Sequence, residues 1–146
     1  MQALVLLLFL LFLPGKPVDV VSAASPPLTV TVTNLKNTEA AVYLAVYKSR
    51  QDFGNSEGLF KSARLNPNGK TSVIFSLPDL EFGVYAVGVY QDINGNGKLD
   101  TGFFGIPKEP YGFSNNFRPV FSGPTFDNCK FQYTSANHTI SITLLW

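Results

Sequence analysis

The residues best suited to chemistry are nine in succession, Asp92-Ile93-Asn94-Gly95-Asn96-Gly97-Lys98-Leu99-Asp100. Side-chain oxygens at the first, third and fifth positions converge on one point when the backbone turns tightly, and glycine at the sixth permits that turn. Lys98, at the seventh, can offer its main-chain carbonyl whatever its side chain, Leu99 falls where an apolar residue packs such loops inward, and Asp100 can ligate directly or through water. Asp92, Asn94, Asn96, Lys98 and Asp100 are thus the expected ligands of a structural Ca²⁺. Phe103 stands at the twelfth position, where a bidentate Glu closes an EF-hand loop, so the site is weak unless another loop contributes. Asp79, Glu81, Glu109 and Asp127 are the candidates. The metal-free alternative is an Asx-rich turn, since Asn-Gly and Asp-Gly form turns unaided.

Beyond this loop, Phe103, Phe104, Tyr111, Phe113, Phe117, Phe121 and Phe126 crowd among glycines, prolines and Ser114-Asn115-Asn116. Most of these rings, Phe104 among them, are expected to pack onto the rest of the protein. One or two exposed rings beside the amides would still make a binding surface, because flat aromatic faces and amides suit sugars and a continuous apolar patch suits a protein. The expected contact residues are Tyr111, Phe113, Ser114, Asn115 and Asn116, and the expected partner is a glycan or a protein. The chemistry-bearing residues include one histidine, His138, in a turn, and one cysteine, Cys129, at the expected start of a strand. His138 reads as a solvent-exposed spectator and Cys129 as a buried, inert thiol, and no intramolecular disulfide can form. The protein is therefore read as a non-enzymatic module. The rival reading is a metal-assisted hydrolase or transferase acting on a polymer, with Asp92, Asp100 or Glu109 as acid or base.

The elements that must position these residues are strands. Leu28, Val30 and Val32 alternate with three threonines, a period of two that buries one face. Ala41 to Tyr47 is apolar on both faces, as in a central strand. Lys61 to Leu65, Thr71 to Leu77 and Val84 to Tyr90 follow, with Asn66-Pro67-Asn68-Gly69 as a strong turn between the first two. Periodicity vanishes for about thirty residues after Asp92, well beyond an ordinary connection. It returns at Lys130 to Thr134 and Thr139 to Leu145. The expectation is an all-β fold, a single antiparallel β-sandwich of about seven strands with a long aromatic-rich loop after a cation-type loop.

Composition agrees, at 45% hydrophobic with 13 Phe and 6 Tyr, which suits strands rather than disorder. A net charge of +1 without any block of like charge gives no basis for nucleic-acid binding or for an electrostatically held membrane surface. At the start of the chain, Ala3 to Leu13 is an apolar run too short to span a bilayer, broken by Pro14-Gly15 and followed by small residues at Val21 to Ser25. Residues 1–24 read as a signal peptide and 25–146 as the β-sandwich domain, exported to the periplasm or secreted, with no transmembrane segment after cleavage. The alternative is an uncleaved N-terminal anchor.

An ordered series of motifs completes the reading: Leu77-Pro78, Gly83-Val84-Tyr85-Ala86-Val87, the loop from Asp92 to Asp100, Phe104-Gly105-Ile106-Pro107, Tyr111-Gly112-Phe113-Ser114-Asn115-Asn116 and Gly123-Pro124. Together they resemble the bacterial domain-of-unknown-function family numbered 2141, from about Leu28 to Leu144. The resemblance implies an exported protein with a transthyretin-like or carboxypeptidase-regulatory-like sandwich, and no established activity. Gln91 stands where many relatives have His, so no role of that histidine carries over. The hydroxyisourate hydrolases of transthyretin type need several histidines and a C-terminal Tyr-Arg-Gly-Ser, whereas this chain ends Leu144-Leu145-Trp146.

Overall fold

The computed structural model describes residues 25–146; the signal peptide expected over residues 1–24 lies outside the described residues. Two sheets face each other. In the smaller, β1 (Leu28–Thr33) lies between β4 (Val73–Leu77) and β8 (Thr139–Thr143). In the larger, the order is β3 (Lys61–Leu65), β2 (Val42–Tyr47), β5 (Gly83–Gln91) and β6 (Tyr111–Phe113). The short β7 (Phe131–Tyr133) pairs with the first residues of β5, Gly83 to Tyr85. The architecture is an all-β sandwich, as the alternating patterns imply.

Each pattern acts through burial. In β1, Leu28, Val30 and Val32 are enclosed while the threonines face outward. They meet Val42, Leu44 and Val46 of β2, Phe75 and Leu77 of β4, and Val87 and Val89 of β5 in one core. Removing so many branched side chains from water is the main favourable term of the fold. A second apolar layer lies apart from that core. It comprises Tyr47, Ala86, Phe126 and Cys129, with Phe53, Phe113 and Phe117 packed against it.

Two details depart from the expected sandwich. Among the described residues there are eight strands, because Tyr111–Phe113 forms β6 inside the aperiodic segment. Its middle residue must be glycine: a Cβ on Gly112 would come within 2.7 Å of Ile142 Cγ2. That close approach lets β6 touch the other sheet, where Tyr111 and Leu145 exchange main-chain hydrogen bonds of 3.1 and 2.7 Å. The fold is also not wholly antiparallel, since β1 and β8 run parallel with Val30 opposite Ile140 and Val32 opposite Ile142. Alternation has the same period in either orientation, so the residues alone do not distinguish them. Cys129 closes the single-turn helix α1 (Phe126–Cys129) instead of opening a strand.

Candidate functional site

The loop begins where β5 leaves the sheet. Gln91 is fully buried and spends its whole amide on the turn between β1 and β2: its oxygen accepts from the N–H groups of Lys36 and Asn37, and its nitrogen donates to the carbonyls of Asn37 and Ala40. Asp92 follows, also buried, anchored by its N–H to the Ala41 carbonyl at 2.8 Å. Its carboxylate gathers the loop. Oδ1 accepts from Gly95 and Asn96 N–H at 2.8 and 3.1 Å, and Oδ2 from Gly97 N–H at 2.8 Å. Gly95 and Gly97 take φ of +74° and +75°, a region costly for other residues, which lets three N–H groups turn toward one carboxylate.

The remaining polar side chains of the loop meet at Asp100. Asn94 Nδ2 and Asn96 Nδ2 donate to Asp100 Oδ2 at 2.5 and 3.0 Å. Their oxygens accept from the N–H groups of Asn96 and Lys98, forming two successive Asx turns. Rotating each amide by half a turn would present oxygen to the same point only by giving up these Asx-turn bonds and with a cation between the oxygens and Asp100. Lys98 takes part through its main chain, and its side chain points to solvent. Among the described residues, no three His, Cys, Asp or Glu side chains gather as a metal cluster.

Of the four further carboxylates considered from the sequence, Glu109 is the one brought to this loop. It is 6% exposed, and its two oxygens accept from Ile93 N–H at 2.8 Å and Asp100 N–H at 3.1 Å. Asp127 instead pairs with Arg50 and Lys130, whose hydrogen bonds hold its carboxyl at about 2. Asp79 and Glu81 occupy the connection between β4 and β5. An open cleft of about 480 Å³ runs past Ile93, Asn94, Asp100, Lys108 and Glu109.

Tyr90 supports the loop from the sheet, donating its hydroxyl to the Gly97 carbonyl at 3.0 Å. Its ring stacks on Tyr43 at 5.0 Å with planes 4° apart, and the Arg64 guanidinium lies over the other ring at 5.6 Å. Burial, then the nearby Tyr43, Asp92 and Glu109, push the Tyr90 phenol up to about 12.

Between Asp100 and Glu109 the chain makes a small hairpin. Lys108 N–H donates to Asp100 O at 2.8 Å, Gly102 N–H to Ile106 O at 2.7 Å, and Thr101 bridges Pro107. The tip carries Phe103, Phe104 and Ile106, exposed by 92%, 99% and 63%. This corrects the expectation that Phe104 is core: apolar neighbours in sequence imply a buried face only when the chain folds back onto the sheet, and here it projects. Phe104 also holds φ at +64°. Phe121, in a later loop, is fully exposed as well. Phe126 is buried, whereas Tyr111, Phe113 and Phe117 are half-buried.

The stretch from Tyr111 to Asn116 is placed mainly by contacts within the fold. Ser114 is enclosed, its Oγ accepting from Val87 N–H at 2.9 Å and donating to the Cys129 carbonyl at 2.5 Å, which removes it from any contact surface. Asn115 reaches the Asn128 and Lys130 carbonyls, and Asn116 bonds Ser141 O and Thr143 N–H on β8. Both amides are exposed yet engaged. Tyr111 and Phe113 pack edge to face at 5.8 Å. The exposed rings Phe103 and Phe104 were not singled out by composition, because exposure is a property of the projecting hairpin.

Comparisons with known proteins bear on the family alone. Neither curated proteins nor solved structures gave a match. A family profile described as "Uncharacterized protein conserved in bacteria (DUF2141)" matches residues 30–141, from β1 into β8 and well over half of the chain. The protein belongs to this bacterial family.

Proposed function

We propose that the protein is an exported, non-enzymatic binding module of the bacterial envelope, periplasmic or secreted after loss of residues 1–24, which docks on an envelope component through the Gly102 to Asn116 region. The observation that carries this reading is the exposure of Phe103 and Phe104, 92% and 99%, on a hairpin whose base is fixed by Glu109. Water-exposed rings of that size on a clamped support add nothing to the core and suit a contact. A glycan or an envelope protein is the partner class that the sequence suggests, and a transthyretin-like ancestry belongs to the same proposal.

Calcium is proposed as a structural ion of the Asp92 to Asp100 loop, with Asp92, Asn94, Asn96, Asp100 and the Lys98 carbonyl as ligands. The meeting of Asn94 and Asn96 at Asp100 supports it. The purified protein, screened against envelope polysaccharides and envelope membrane fractions, should bind one of them, and Phe103→Ala with Phe104→Ala should abolish that binding. Absence of binding to every envelope fraction removes the reading.

A second reading draws on the cleft beside Asp100 and Glu109, which would suit a metal-assisted hydrolase or transferase. Both Glu109 oxygens already serve main-chain N–H groups, which weighs against a free acid or base. Turnover of an envelope polymer that is lost in Asp100→Asn would establish the enzyme in place of the module.

A further inference from the structure

We infer that the Asp100 to Lys108 hairpin is a membrane-contacting finger, its tip entering the interface of an anionic lipid bilayer. This rests on the proposed reading of the region as a contact surface and names what it contacts.

Several observations point to lipid. Phe103-Phe104-Gly105-Ile106 is an uncharged run, and its three large side chains are 92%, 99% and 63% exposed. They stand at the tip of a projecting hairpin. A bilayer interface accepts a projecting apolar tip of any outline, burying it to ~5–10 Å. The foot of the hairpin is internally paired, through Gly102 N–H to Ile106 O, Gly105 N–H to Gly102 O and Lys108 N–H to Asp100 O, which holds the tip in its projecting shape.

Charge is arranged to match. A Cβ on Gly102 would lie 3.4 Å from Lys108 Cε, so the lysine stem runs along the hairpin just below Phe103. Among the described residues Lys108 is in no ion pair. Apolar rings at the tip with an ammonium one step behind reproduce the order of an interface, acyl chains first and phosphates next. Of the nearby carboxylates, Glu109 is buried against the N–H groups of Ile93 and Asp100, and half-exposed Asp100 is engaged by the Asn94 and Asn96 amides. Low net charge argues against binding by charge alone, but a finger driven by apolar insertion needs only local complementarity.

Phe104 adds a separate sign. A bulky residue at φ +64° is unfavourable, and its ring, 99% exposed, returns nothing to folding. Backbone cost without a packing return concentrates at sites of function.

The test sediments the purified protein with sucrose-loaded vesicles of phosphatidylethanolamine and phosphatidylglycerol, beside vesicles of phosphatidylcholine. The protein should sediment with the anionic vesicles, and Phe103→Ala with Phe104→Ala should weaken partitioning by about tenfold or more while leaving the melting curve unchanged. Lys108→Ala should weaken it several-fold on anionic vesicles only. Phe103→Trp should keep binding and shift its emission to the blue, with quenching by brominated acyl chains. Failure of the protein to sediment with either vesicle, or equal sedimentation of the double alanine variant, overturns the inference. If vesicles fail while the double variant loses binding to a purified envelope polysaccharide or protein, the lipid assignment alone falls. If the double variant also binds all of these as the parent does, the contact-surface reading falls with it.

Discussion

Glu109 closes the loop that Asp100 ends: its Oε2 accepts the Asp100 N–H at 3.1 Å, while Oε1 takes the Ile93 N–H at 2.8 Å. One buried carboxylate thus holds the two ends of the loop and the foot of the hairpin together. Glu109→Gln leaves one of those N–H groups facing an amide nitrogen. A donor left without a partner costs about 1–3 kcal/mol when fully buried, and these two are part-buried, so urea denaturation should show a loss near the low end, about 1 kcal/mol, whereas Asp79→Asn at an exposed turn should change little.

Calcium at millimolar concentration should raise the melting temperature by a few degrees, and Asp100→Ala should remove the rise. If the dissociation constant is ~0.1–1 mM, as in extracellular modules, ~1 mM Ca²⁺ stabilises by about 0.4–1.4 kcal/mol. Magnesium should act less, because it dehydrates reluctantly. Identical melts with calcium and with chelator would leave the loop as an Asx-rich turn, which its own hydrogen bonds can sustain.

Two phenylalanines of the same segment should respond in opposite ways. Phe126→Ala removes a buried ring from between β5 and the Phe53 and Phe113 side chains and should cost about 3–5 kcal/mol. Phe104→Ala should change stability by less than about 0.5 kcal/mol. Phe104→Gly should be neutral or stabilising by up to ~1 kcal/mol, since glycine tolerates positive φ. Chemical denaturation of the three variants checks all of this.

The phenol of Tyr90 gives a pH dependence. Its pKa is raised to about 12 in the folded protein, first by burial. A group held protonated by the fold contributes stability that is complete below its ordinary value near 10 and is lost as pH rises through about 12. Absorbance titration should show a tyrosine ionising late, and Tyr90→Phe should erase that step. The same variant frees the Gly97 carbonyl from its hydroxyl partner.

Much of the framework was legible because alternation translates directly into burial: Val30 and Val32, or Ile142, lie where a period of two places them. The β6 strand was not, since three residues show no period and the reason for Gly112 is a neighbour, Ile142, that lies far along the chain. For the candidate site, the spacing of Asp92, Asn94, Asn96 and Asp100 announced a turn that gathers polar groups. Glu109 follows Asp100 by nine residues across a hairpin, so no fixed spacing could rank it above Asp79, Glu81 or Asp127. Ser114 and the Asn115-Asn116 pair illustrate a different limit. Polar residues beside aromatic ones suit a ligand or a fold equally, and here they bond α1, β5 and β8.

The parallel pairing of β1 with β8 joins residues such as Thr33 and Thr143, 110 positions apart. A ribosome delivers the first of these strands long before the last, and through that interval Val30 and Val32 lack one of their two sheet neighbours. Pairings so distant in sequence place the chain among slow folders, with times of about milliseconds to seconds. Assembly of the small sheet is consequently a late event, and a chain stopped short of Thr139 would present an open strand edge ready to pair with another molecule.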